Sequence, residues 1–121
     1  MADTDSAGPS QQYLTIRLGA DEYGITLDAV REIVPIQGIT RIPGTPPWVR
    51  GVCNLRGAVL PVVDLGTRFG FGETAQGKRA CFLILELTVA GQALALGVVA
   101  ESVNNVVDVP AASVEVAPEV G

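Results

Sequence analysis

Residues Gly51–Leu65, GVCNLRGAVLPVVDL, decide how the rest of this chain is read. Two apolar runs flank Arg56-Gly57, and the glycine supplies the positive φ that a two-residue hairpin turn demands. The stretch therefore reads as a β-hairpin, with Val52, Cys53 and Leu55 on the outgoing strand and Ala58 to Val63 on the return. The β-branched Val59, Val62 and Val63 suit a pleated, buried surface. Pro61 has no backbone donor, which puts the return strand at a sheet edge or at a bulge. Arg56 then stands at the tip of a stiff loop.

Upstream, YLTIRL alternates, with Leu14, Ile16 and Leu18 on one face. Gly19 to Glu22 turns the chain, and Tyr23, Ile25 and Leu27 alternate back as a second strand. The segment AVREIV leaves two readings open. As a short helix, capped by Asp28 and stopped before Pro35, it turns Val30, Ile33 and Val34 inward; as a strand it puts Val30 and Glu32 on one face. Ile39 to Ile42 reads as a short strand, and GTPPW as a rigid loop in which Trp48, the single tryptophan, anchors the approach to the hairpin.

Downstream of the hairpin, Asp64 is placed to cap a single helical turn over Gly66 to Gly70. The polar loop GETAQGK then divides the chain into halves. ACFLILEL is continuous enough to be a strand buried on both faces, and it returns around Gly91 as ALALGVVA. Ser102 to Val109 offers a further strand, with Asn104-Asn105 marking a turn or bulge within it. Residues 1–11 are small and polar and read as a flexible tail, leaving one domain over 12–121.

Composition agrees with an all-β domain. The chain has 121 residues, 48% of them hydrophobic and 17% charged, with 14 Gly and 8 Pro to make frequent turns. That length suits one domain, or two small barrels sharing an interface. A net charge of −5, with Lys78 the single lysine, argues against nucleic acid as a partner, because that needs clustered cations. No apolar run reaches the roughly 18–20 residues that span a bilayer, and the start lacks a signal peptide's basic and apolar regions, so a cytoplasmic location without direct membrane insertion is expected. Cys53 and Cys81 form no CxxC pair and read as free, buried thiols.

The sequence contains no histidine, which removes serine-histidine and cysteine-histidine nucleophiles and histidine metal sites. There is no triphosphate-binding loop, and GFGETAQG lacks the strand-to-helix context of a dinucleotide fingerprint. Asp64, Glu86 and Glu101 are more simply surface or capping carboxylates than an acid-base set. No catalytic, cofactor-binding or metal-binding residue is expected. On local chemistry alone, Arg56 is a solvated turn residue or a partner-facing anchor able to form two parallel bonds with a carboxylate.

Taken in order, YLTIRLGADEYGI, VREIV, ITRIPGTPPWVRGVCNLRGAVLPVVDL and ALGVVAESVNNVVDV resemble the CheW-like family of bacterial chemotaxis coupling domains over about residues 12 to 117. The hairpin GV-x-NLRG-x-x-x-PVVDL is the most specific part of the match. The resemblance implies two small five-stranded β-barrels packed on a shared apolar seam, with short helical turns and no enzymatic activity. It implies two partners, the regulatory domain of a CheA-type histidine kinase and the cytoplasmic tip of a methyl-accepting chemoreceptor. It carries over Val30, Glu32, Gly51, Arg56 and Val103 as positions that contact a partner or shape its interface. At Glu101 many relatives have aspartate. Relatives also continue beyond the position of Glu119 into a strand and a helix that are missing here, so reduced stability or dimerisation through a strand edge is expected. The first alternative is a CheW-like module of a larger signalling protein, such as a kinase regulatory domain or a receiver-fused coupling protein. The reading from another class is a small β-barrel enzyme or ligand-binding protein, which would need a deep polar pocket with converging carboxylates.

Overall fold

A computed structural model of the chain describes residues 10–110. Eight strands follow in order: β1 (Ser10–Leu18), β2 (Asp21–Thr26), β3 (Val30–Pro35), β4 (Val49–Leu55), β5 (Ala58–Val63), β6 (Cys81–Val89), β7 (Gln92–Ala100) and β8 (Ser102–Pro110). A 3₁₀ turn, Leu27–Ala29, precedes β3, and one helical turn, α1 (Leu65–Arg68), follows β5. The strands form a three-stranded sheet, β2-β1-β8, and a five-stranded sheet, β3-β6-β7-β5-β4. The all-β class thus holds. Where five strands were expected in each half, the described residues supply three to the smaller sheet.

The β6–β7 hairpin organises the interior, and its sequence explains why. Cys81 to Leu85 are buried without a break, so alternate residues must be covered from opposite sides. Cys81, Leu83 and Leu85, with Val98 and Ala100 of β7, pack beneath Leu14, Ile16 and Leu18 of β1. Phe82, Ile84 and Val99 point the other way, into a core completed by Val34, Cys53, Leu55, Leu60 and Val62. Every buried member of that second core comes from the five-stranded sheet, which therefore curls around its own contents. One hairpin is shared by two cores, which is how the expected apolar seam is built. Phe82 is fully buried, and burying such a side chain contributes about 3 kcal/mol.

Turn chemistry sets the registers. Arg56 (φ 53°) and Gly57 (φ 91°) both take positive φ, as a type I′ turn requires, and the Gly57 N–H donates to Asn54 Oδ1 at 2.9 Å. Ala90 and Gly91 repeat the arrangement between β6 and β7. The edge or bulge expected from Pro61 is not found: β5 lies inside the sheet, and Pro61 is accommodated because only Val62 and Val63 pair with β7, so it stands just beyond that ladder.

One open reading is settled and three expectations change. AVREIV is a strand led in by the 3₁₀ turn, so Asp28 caps no helix there. Arg31 is an extra residue in the β3–β6 ladder: Val30 pairs with Leu85 but Glu32 with Ile84. That bulge turns Val30 and Glu32 to opposite faces of the sheet, where an unbroken strand would have kept them together. Ile39 to Ile42 forms only a single bridge, Thr40 to Val52. Ser10 and Gln11, assigned to a tail, belong to β1 and pair with Pro110 and Val109. The bulge anticipated at Asn104-Asn105 is present: β8 has one residue more than β1 there, and Thr15 Oγ1 accepts from the Asn105 N–H at 3.0 Å. Residues 1–9 and 111–121, with the expectations placed on the tail and on the chain's end, lie outside the described residues.

Candidate functional site

Arg56 is displayed as the hairpin sequence implies. Its side chain is 66% exposed and forms an ion pair with Glu32, itself 35% exposed. Glu32 lies on β3 and Arg56 at the end of β4, the two outermost strands of the five-stranded sheet. No ladder joins β3 to β4 among the described residues, so this pair spans the mouth of the curled sheet. In such an exposed position it is worth about 0–1 kcal/mol to folding, which leaves both charges available to a partner.

The other carried-over positions divide into two kinds. Gly51 is buried, with φ at 139°, and a Cβ there would meet the Thr40 carbonyl oxygen at 2.1 Å. It shapes the surface by letting the Thr40–Val52 bridge close. Val30 packs half-buried against the core that also holds Leu85. Val103 lines a cleft of about 560 Å³ with Ile33, Arg79, Cys81, Ser102 and Asn104. Glu32 and Arg56 therefore meet, whereas Val103 belongs to a separate surface at the junction of the two sheets.

Edge strand β3 joins these surfaces. Glu32 projects towards Arg56, and the next residue, Ile33, projects to the opposite face and lines the Val103 cleft, 47% exposed. Sequence reasoning missed Ile33, because the helical reading of AVREIV turned this side chain inward and the strand reading assigned it no role. An exposed isoleucine on an edge strand is the feature that singles it out.

A second polar cluster supports the hairpin from below. The Asp64 carboxylate is fully buried and accepts hydrogen bonds from Arg50 Nη1 (2.8 Å), Thr74 Oγ1 (2.6 Å), the Thr74 N–H (3.0 Å) and the Thr67 N–H (3.2 Å). The expected helix cap is thus present, as the bond from Thr67, within a larger network. Burial pushes the Asp64 carboxyl up, but the bonds from Thr74, Thr67 and Arg50 outweigh it and hold the group below its ordinary value. The hairpin register held the signal for the ion pair: counting back from Arg56-Gly57 brings Arg50 beside the end of β5, next to Asp64.

Cys53 and Cys81 are free and buried, and burial pushes both thiols up. Among the described residues, no group of three or more Cys, Asp or Glu is placed to hold a metal ion. Among the described residues, the main open concavities bring no two carboxylates together. No helix among the described residues is long and apolar enough to cross a membrane.

The described residues thus join a two-sheet β fold to a charged hairpin tip and a cleft of mixed polarity at the sheet junction. The sequence model of the CheW-like domain matches residues 12–121, and the chain belongs to that family. Chemotaxis protein CheW of Klebsiella aerogenes is 34% identical over 109 residues, covering 90% of this chain and 63% of the relative. Chemotaxis protein CheW of Bacillus subtilis is 31% identical over 90% of this chain and 67% of the relative. The crystal structure of the scaffolding protein TtCheW from Thermoanaerobacter tengcongensis superposes with a TM-score of 0.79 at 31% identity, over 91% of this chain and 69% of that one. The chain thus spans 63% of the length of the Klebsiella relative and 67% of the Bacillus one.

Proposed function

We propose that this chain is a non-enzymatic cytoplasmic adaptor that couples methyl-accepting chemoreceptors to the regulatory domain of a CheA-type histidine kinase. The observation that carries the reading is the alternation on β3, which turns Glu32 towards Arg56 on one side and Ile33 towards Val103 on the other. A single edge strand thereby serves two surfaces of unlike chemistry. The charged tip, Arg56 with Glu32, suits a register-setting contact with the kinase's own barrel, because charge pairs at a rim set orientation and specificity. The cleft of Ile33 and Val103 suits the apolar stripe of a helical receptor tip. Gly51 and Val30 shape these surfaces from within.

Coupling follows from simultaneous occupancy. A bivalent adaptor raises the effective concentration of one partner at the other and needs no bond made or broken. Family membership and relatives named as chemotaxis proteins support the assignment. The test is calorimetric titration of the 121-residue chain with a kinase regulatory domain, a chemoreceptor tip fragment, and both together. The reading expects binding to each and a ternary complex; a chain that binds neither fragment refutes it.

A further inference from the structure

The cleft that holds Val103 continues into a second one, of about 460 Å³, lined by Arg17, Ala75, Gly77, Lys78, Arg79, Glu101 and Ser102. Arg79 and Ser102 line both, so they form one furrow, with Ile33 and Val103 among polar neighbours at one end and the basic residues gathered at the other. Elsewhere the fold uses most of its cations, exposed Arg41 excepted. Arg31, Arg50 and Arg56 pair with Glu86, Asp64 and Glu32, and the Arg68 guanidinium lies over the Trp48 ring at 5.8 Å. In the furrow it does not. Arg17 donates to the carbonyls of Gly19 and Ala20 and stands opposite Glu22 in the β1–β2 ladder without a close ion pair. Lys78 and Arg79 are exposed and make no ion pair with any described residue. Glu101 is the one carboxylate in the lining, and its Oε2 already accepts from the Gly19 N–H at 2.8 Å.

Three positive side chains face two carboxylates, Glu101 and, at the rim, Glu22, both already accepting hydrogen bonds, so the furrow is locally positive on a protein of net charge −5. Gathering like charges costs free energy, and Glu101 and Glu22 offset it only in part. An arriving anion would offset the rest. We propose that Arg17, Lys78 and Arg79 select a carboxylate on the helical receptor segment that lays its apolar stripe on Ile33 and Val103; the inference rests on the adaptor reading above and names the chemistry of that partner. A helix with an acidic residue one or two turns beyond its apolar anchors would meet both ends of the furrow together. The end holding Ile33 and Val103 would supply most of the affinity, and the basic end the orientation and the encounter rate.

The test measures affinity of the full chain for a chemoreceptor tip fragment by calorimetry at about 50 and 300 mM salt, since the higher concentration shortens electrostatic reach to a few ångströms. Wild-type affinity is expected to fall about tenfold between the two conditions. The Lys78→Glu/Arg79→Glu double variant is expected to bind at least about tenfold more weakly at low salt and to lose most of the salt dependence, with kinase-domain affinity unchanged. The wild-type salt slope is a second reading that needs no variant to fold. Receptor binding that ignores salt and is equal in wild type and double variant overturns this inference while the adaptor reading stands. A wild-type chain that binds no receptor fragment overturns the adaptor reading and this inference with it.

Discussion

Replacing Asp64 with asparagine removes the charge at the centre of the Arg50–Thr67–Thr74 network without changing its size. The Asp64 side chain is 0% exposed and that of Arg50 16%, so water cannot take over the lost interaction. The new amide also turns donors towards groups that are themselves donors. Removing one partner of a buried pair costs about 3–5 kcal/mol, and the slight exposure of Arg50 points to about 3 kcal/mol. For a domain of this size that corresponds to a fall in Tm of about 10–20 °C. Trp48 is a built-in reporter, because its carbonyl accepts from the Asp64 N–H at 2.7 Å and it is the single tryptophan. Thermal and urea unfolding followed by its fluorescence gives the cost directly. A double-mutant cycle with Arg50→Met isolates the ion pair, with a coupling of about 1 kcal/mol or more expected. The folded-state pKa of Asp64 lies below its unfolded value, so its contribution is complete above the unfolded pKa of about 4 and is lost as pH falls through the folded one. Wild type should therefore lose stability below about pH 4, and the Asp64→Asn variant should lose much less over the same range. An Asp64→Asn protein that melts within about 2 °C of wild type would refute the network's role.

Three further outcomes follow from the same geometry. Arg56→Asp should weaken binding to a partner fragment by about 2 kcal/mol with Tm almost unchanged, because its pair with Glu32 is exposed; equal affinity in titration counts against a partner-facing tip. Gly51→Ala should destabilise by about 3 kcal/mol or more, as its Cβ would overlap the Thr40 carbonyl at a φ that disfavours side chains; a urea midpoint equal to wild type would show that the bridge is dispensable. Cys53 and Cys81 should react with a soluble disulfide reagent about a hundredfold or more slower in the native chain than in urea, because both are buried and both thiols are pushed up; prompt native labelling would place them at the surface.

Much of the architecture is written locally. Alternation in YLTIRL and the uninterrupted ACFLIL run reflect the two-residue period of a strand, and Arg56-Gly57 and Ala90-Gly91 carry their own turn geometry. These signals need no knowledge of distant residues, which is why the hairpins, the doubly covered β6 and the exposed Arg56 were legible in advance. The ordered motifs then pointed to the family. The Asn104-Asn105 bulge was legible too, from the turn preference of asparagine.

What the sequence could not settle depends on neighbours far along the chain. AVREIV is equally good as a helical turn or a strand until β6, some fifty residues later, offers a ladder to pair with. The extra residue at Arg31 is visible only against that partner, and it alone sends Val30 and Glu32 to opposite faces and frees Ile33 for the cleft. Likewise, the meeting of Arg56 with Glu32 is decided by how the five-stranded sheet brings β3 and β4 together, and that of Asp64 with Thr74 by the path of the loop after the helical turn. By itself, the sequence determined strands, turns and family, because pleat and turn chemistry act between adjacent residues. Only the tertiary structure decided which side chains share a surface, because that depends on register between strands distant in the chain.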